Sequence, residues 1–158
     1  MKLQLAEIND LKYVNDLYNS VKNTPFCVWD EYYPTIYQIE CDYNANTLYL
    51  IKEDKLILGA VSINPENEMD DLNCFTKVLK PCEIARVVVN TLYKNKKIGQ
   101  FMINELINEV KKIGYNSIRL AVEVNHIPAI KLYEKCGFKK VGTNFMYEHH
   151  YYLYEFVF

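Results

Sequence analysis

The stretch that decides the fold runs from Pro81 to Gly142: PCEIARVVVNTLYKNKKIGQFMINELINEVKKIGYNSIRLAVEVNHIPAIKLYEKCGFKKVG. It opens on Glu83-Ile84-Ala85-Arg86-Val87-Val88-Val89-Asn90, a β-branched run that predicts a strand. A polar, basic loop follows, Lys94-Asn95-Lys96-Lys97-Ile98-Gly99. Ile98, Phe101, Met102, Leu106, Val110 and Ile113 then recur at helical spacing, and Gly114 is placed to end that helix. Ser117 to Val124 reads as a second strand. His126 to Cys136 reads as a short helix, with Pro128 in the first turn, where a missing N–H is harmless. Phe138 to Val141 reads as a third strand. Two strand–helix units in succession imply parallel strands in this half of the chain.

The flanks complete the pattern. Lys2 to Ala6 alternates polar and apolar residues, as a strand does. Asn9 or Asp10 is placed to cap a helix carrying Leu11, Val14, Leu17, Tyr18 and Val21. Asn23 to Pro34 is aromatic, contains two prolines and reads as irregular, with a second helix expected from about Thr35 to Cys41. Thr47 to Lys52 and Leu56 to Ile63 form a predicted hairpin about Glu53-Asp54-Lys55, and Asn64 to Lys80 reads as irregular. Tyr147 to Val157 supplies a last strand. The order β-α-α-β-β-β-α-β-α-β-β describes one domain, residues 1–158, of the α/β (α+β mixed sheet) class. No repeat, linker or low-complexity segment interrupts it.

The 158 residues are half apolar and carry a net charge of −2. A protein that binds nucleic acid mainly through phosphates carries a basic excess, so no nucleic-acid partner is expected. The five cysteines, Cys27, Cys41, Cys74, Cys82 and Cys136, are odd in number and scattered, which reads as reduced thiols in a cytoplasmic protein. There is no signal peptide and no apolar run of membrane-spanning length, so no membrane association is expected. His126, His149 and His150 lack metal-ligand spacing, and no metal is expected.

The loop Lys94 to Gly99 joins a strand end to a helix start. Such a junction offers unpaired backbone N–H groups and the positive end of a helix dipole, and lysines add to its pull on a pyrophosphate. A solvated basic turn has the same composition. The block 81–142 resembles the GCN5-related N-acetyltransferase (GNAT) superfamily. Lys94-x-x-Lys97-x-Gly99 occupies the frame of that family's phosphate loop, [QR]-x-x-G-x-[GA], with Lys94 for the first Gln or Arg and Lys97 for the first glycine. Ala129-Ile130-Lys131-Leu132-Tyr133-Glu134-Lys135-Cys136-Gly137-Phe138 matches its A-[IR]-x-L-Y-E-K-x-G-F segment, one residue further from Asn125 than the family pattern has it.

The resemblance implies a GNAT-like fold, a central mixed sheet flanked by about four helices. It implies an acetyl-CoA-dependent N-acetyltransferase with a direct ternary complex, acetyl-CoA as co-substrate and an amine as acceptor. By position, the main chain of Val87, Val88 and Val89 would bind the pantetheine arm and thioester carbonyl. Lys94, Asn95, Lys96, Lys97, Ile98, Gly99 and Gln100 would hold the pyrophosphate. Asn125 would bond the CoA arm or cap its helix. Tyr133 would protonate the leaving thiolate, or else be a packed tyrosine. Glu83 would be the general base, or else an ordinary charged strand-end residue. Trp29, Tyr32 and Tyr33, with Asp30 and Glu31, fall where the family places its acceptor loop; an aromatic loop with no ligand reads the same way. Cys82 and Cys136 read as structural thiols. A non-catalytic acyl-CoA-binding regulatory module is the alternative function. The last strand could pair with a second copy, giving a homodimer, or fill its own core.

Overall fold

The computed structural model describes residues 1–65, 69, 71–93 and 97–158. Among them the elements follow the expected order. They are β1 (Lys2–Leu5), α1 (Leu11–Val21), α2 (Ile36–Asn44), β2 (Leu48–Glu53), β3 (Leu56–Asn64), β4 (Pro81–Val89), α3 (Ile98–Ile113), β5 (Ser117–Glu123), α4 (Ile127–Lys135), β6 (Lys139–Met146) and β7 (His149–Val157). The strands form one seven-stranded mixed sheet in the order β1-β2-β3-β4-β5-β7-β6. β4 and β5 are parallel, as their connecting helix requires. β5 and β6 are not neighbours: β7 lies between them, antiparallel to both. The strands β4, β5 and β6 therefore all run in one direction, as two strand–helix units imply, but only the first pair are neighbours. The short helix α4 returns the chain one place beyond β5, and the closing hairpin fills the gap.

Contacts group the chain into two compact units, Met1–Ile63 with Ala85–Met102, and Asn64–Ile84 with Ile103–Phe158. In the first, α1 buries Leu11, Val14, Leu17 and Tyr18 against Ile39 of α2 and Leu48, Leu50, Ile57, Ala60 and Val88 of the strands. α2 starts at a capping box, in which Thr35 and Gln38 each accept from the other's end of the turn, and it runs three residues past the expected Cys41. Asp54 takes φ 53° in the β2–β3 turn. Gly59 of β3 permits a close approach, because a Cβ there would stand 3.0 Å from the Val88 carbonyl oxygen. Asn90 closes the end of β4 by donating its N–H to Leu58 O (2.8 Å).

In the second unit β7 pairs along both edges, with β5 from Ser117↔Val157 to Glu123↔Tyr151 and with β6 from Lys139↔Glu155 to Met146↔His149. Of the two roles the sequence leaves open for the last strand, filling its own sheet is the one adopted. α3 begins in the first unit, where it buries Ile98 and Met102, and in the second it buries Ile103, Leu106 and Val110 and exposes Ile113, so the apolar stripe ends a turn earlier than its spacing suggests. Arg119 and Glu155 are buried as well, and both fasten the segment before β4. Thr76 gives its N–H and hydroxyl to the two Glu155 carboxylate oxygens (2.9 and 2.6 Å), and its carbonyl accepts from Arg119 (3.1 Å).

Candidate active site

The junction of β4 and α3 is built around two residues at unusual backbone angles. Arg86, in the middle of β4, has φ 52°, and Lys97, just before α3, has φ 56°. Non-glycine residues in this left-handed region cost about 1 kcal/mol each, because Cβ crowds the following carbonyl. Lys97 O accepts the first helical hydrogen bond, from Phe101 N (3.0 Å). The N–H groups of Ile98, Gly99 and Gln100 therefore precede the helical ladder and have no acceptor within α3. The Lys97 side chain is exposed and Ile98 is buried, so the turn presents backbone and a cation to solvent and apolar surface to the core. The left-handed angle at Lys97 is the one the family's glycine would adopt without strain. Lys94, Asn95 and Lys96 lie outside the described residues.

Val88 is buried in the first unit's core, while Val87 and Val89 are half-buried. The Val88 side chain is thus committed to packing. Arg86 has a different environment. Its Nε and Nη2 donate to both oxygens of Asp42 on α2 (2.9 and 2.7 Å), and its Nη1 donates to the Tyr33 hydroxyl (3.0 Å). The Ser62 hydroxyl of β3 donates to the same carboxylate (2.6 Å). Burial alone would disfavour the guanidinium's charge, but Tyr33 and Asp42 outweigh it and raise the Arg86 pKa. The Tyr18 hydroxyl, wholly buried beside this group, makes no hydrogen bond of good geometry; the neighbouring Ser62 has its own proton committed to Asp42. Burial holds that phenol neutral by pushing its pKa up, with Arg86 pulling the other way.

The sequence leaves open whether Arg86 faces solvent or a carboxylate, and the carboxylate is the outcome. Asp42, Ser62 and Tyr18 escape the sequence reading. The one available signal is an acidic residue on the same helical turn as the buried Ile39, where the apolar face would exclude it unless it had a partner.

The aromatic segment divides. Trp29 turns inward, its ring 5.4 Å from that of Tyr18 in an edge-on contact, and packs on the core. Tyr32 is 78% exposed and Tyr33 is 40% exposed. Trp29 is thus half-buried against the core, while Tyr32 and Tyr33 lie at the surface. Asp30 shapes the loop, accepting from Tyr32 N (2.8 Å) and bridging to Tyr33 through the backbone.

In the second unit, Tyr133 is buried near the end of α4, and its ring meets that of Phe138 edge-on at 5.8 Å. The Leu132 to Phe138 segment holds it there by a local device. Gly137 takes φ 97°, its N–H donates to Glu134 O (3.1 Å), and Phe138 N donates to Tyr133 O (3.0 Å). This is a Schellman helix end with its apolar contact between Tyr133 and Phe138. Glu134, in turn, accepts from the buried Tyr154 hydroxyl of β7 (2.8 Å). Burial pushes the Tyr133 pKa up, so the phenol keeps its proton at neutral pH.

The cap of α4 is His126, not Asn125: His126 Nδ1 accepts from Ala129 N (3.3 Å). Asn125 instead folds back onto Glu123, giving it both its backbone N–H (2.8 Å) and its side-chain amide (3.0 Å). Glu83 is set by register beside Arg119 on β5, which stands beside Glu155 on β7 and so next in the row to Lys139 on β6. A carboxylate in such an alternating row has a structural partner to hand. Burial raises the Cys82 thiol to about 12 and pushes that of Cys136 up, so neither thiol is activated toward the thiolate.

The model of the acetyltransferase (GNAT) family matches residues 14–138. The chain belongs to that family. An uncharacterized N-acetyltransferase from Schizosaccharomyces pombe is 34% identical over 58 residues, which is 37% of this chain; the match spans only 36% of the yeast protein. Among solved structures, an acetyltransferase of the GNAT family from Streptococcus agalactiae superposes with a TM-score of 0.84 at 11% identity, covering 99% of this chain and 95% of that one. The yncA protein of Salmonella typhimurium, solved with its cofactor acetyl-CoA, superposes with a TM-score of 0.78 at 16% identity, covering 99% and 93%. At these identities the likeness speaks for the fold. No described helix is long and apolar enough to cross a membrane.

Proposed function

We propose that residues 1–158 form one acetyltransferase domain that moves the acetyl group of acetyl-CoA to a primary amine in a direct ternary complex. The observation that carries the reading is the β4–α3 junction, where first-turn amides without helical acceptors follow a left-handed Lys97. Backbone N–H groups and the helix dipole suit a pyrophosphate, and Lys94, Asn95, Lys96, Lys97, Ile98, Gly99 and Gln100 are assigned to hold it. The main chain of Val87 to Val89 is assigned to the pantetheine arm and the thioester carbonyl, with Asn125 at the CoA arm.

Tyr133 is assigned as the acid. As the amine nitrogen bonds to the acyl carbon and the C–S bond breaks, the phenolic proton passes to the departing sulfur. Glu83 is assigned as the base that takes the amine proton, and its place in the charge row is the competing role. Tyr32 and Tyr33 remain at the surface to meet the acceptor, with Asp30 and Glu31 to attract a cationic amine and Trp29 as their support. Five free thiols fit a reducing, cytoplasmic setting.

The test is calorimetric titration with acetyl-CoA, followed by thiol release with a panel of amines. Micromolar binding and turnover are expected. Tyr133→Phe should lower kcat by about 100-fold or more while acetyl-CoA affinity holds. Glu83→Gln should lower turnover most at pH values where a carboxylate is ionised and the acceptor amine still protonated, and least above the amine's pKa, where the amine is already neutral. An absence of binding at millimolar ligand would end the acetyltransferase reading. Lysine at the loop's glycine position favours one second reading, a non-catalytic acyl-CoA-binding module. Tight binding with no turnover on any amine is its signature.

A further inference from the structure

A strand residue at φ 52° needs something to hold it there, and Arg86 is held at three points. Two of its nitrogens grip both oxygens of Asp42 on α2, and the third reaches the Tyr33 hydroxyl in the loop after α1. Both members of the ion pair are nearly dry, with side chains 11% and 8% exposed. Asp42 has no spare freedom either, since Ser62 of β3 donates to it. The fork geometry is one that arginine provides and lysine does not. The next residues along the strand are Val87 to Val89, of which Val88 is buried in the core.

We propose that Arg86 is a positioning residue. Clamped by Asp42, it fixes the bend that aims the Val87–Val89 main chain, and through Tyr33 it ties the acceptor loop to the same strand. The inference rests on the acetyltransferase reading. It assigns to β4 a control that does not touch substrate: Asp42 sits behind the strand and acts only through the guanidinium.

Three variants test it. Arg86→Gly accepts the left-handed backbone without strain and removes the clamp, at the cost of leaving the buried Asp42 carboxylate without its ion pair; the double variant removes that unpaired charge as well. Asp42→Asn keeps the volume and removes the charge. The third combines both changes. Each single variant is expected to lower kcat by about tenfold to 100-fold, with a smaller change in KM for acetyl-CoA, as misaimed catalytic groups do. The double variant is expected to be no worse than the worse single one, because both act through one clamp.

Single variants that match the native kcat overturn the proposal, and so do losses that multiply in the double variant. A fall in acetyl-CoA affinity with unchanged kcat overturns it too, since that is the mark of a merely binding role. The native chain is titrated with acetyl-CoA alongside. Native binding and turnover with unaffected variants sink the positioning role alone, whereas no native binding sinks the acetyltransferase reading with it. Should Asp42→Asn fail to fold, Arg86→Gly compared with Arg86→Lys decides the matter: lysine restoring full kcat would show that charge, not the two-pronged grip, suffices.

Discussion

Lys97 bears a side chain at a backbone angle that favours glycine. Lys97→Gly should therefore stabilise the chain, the relief of about 1 kcal/mol being partly offset by a floppier unfolded state, for a net gain of about 0.5 kcal/mol. Urea unfolding of the two proteins measures it; a loss of stability would mean that the lysine side chain makes a compensating contact. His126 yields a pH effect. Burial lowers its pKa, and its Nδ1 caps α4 only when unprotonated. Above the ordinary value of about 6.5 both folded and unfolded forms are neutral and nothing changes. As the pH falls through 6.5 the unfolded chain takes up a proton that the folded chain resists, so stability is lost. The thermal midpoint of native protein should fall more between pH 7.5 and pH 5.5 than that of His126→Asn, which keeps a cap without the titration. Equal falls would place the sensitivity elsewhere. At this scale the sequence displays the chemistry of Tyr133 but not its burial, and it hides Asp42 entirely. An aspartate on a helix looks solvated until the strand bearing Arg86 is packed against it.

Among the elements, α4 is the most legible, because its motif is a local structure. Leu132 to Phe138 encodes a helix end in which Gly137 must turn left-handed and Phe138 must return to cover Tyr133. A Cβ on Gly137 would also stand 3.1 Å from the Phe156 ring. Gly137→Ala should cost about 1–2 kcal/mol from the backbone alone and lower turnover by loosening Tyr133. A chemical-denaturation midpoint and kcat on one preparation test both halves, and native stability in the variant would refute the strain argument. β4 is the opposite case. Its β-branched run announces a strand, yet nothing in Ile84-Ala85-Arg86-Val87 announces a left-handed residue within it. The residue that holds the Arg86 side chain, Asp42, is far off in sequence.

For the whole molecule, ligand binding links the site to stability. If acetyl-CoA binds the native chain alone, a concentration about 100 times Kd adds about 2.7 kcal/mol. In a domain of this size that raises the thermal midpoint by roughly 5–10 °C. A midpoint that ignores acetyl-CoA would count against the site. The amino-acid sequence by itself determined the order of elements, the hairpins, the glycine helix ends at Gly114 and Gly137, and the resemblance of block 81–142 to its family. Each of those follows from residues close in sequence, through side-chain period, turn chemistry and capping. Only the tertiary structure decided that β7 lies between β5 and β6, that Trp29 turns inward from the aromatic segment, and that Arg86 finds Asp42. These depend on which distant surfaces exclude water together, and a buried charge reveals its partner only when the strands and helices have closed around it.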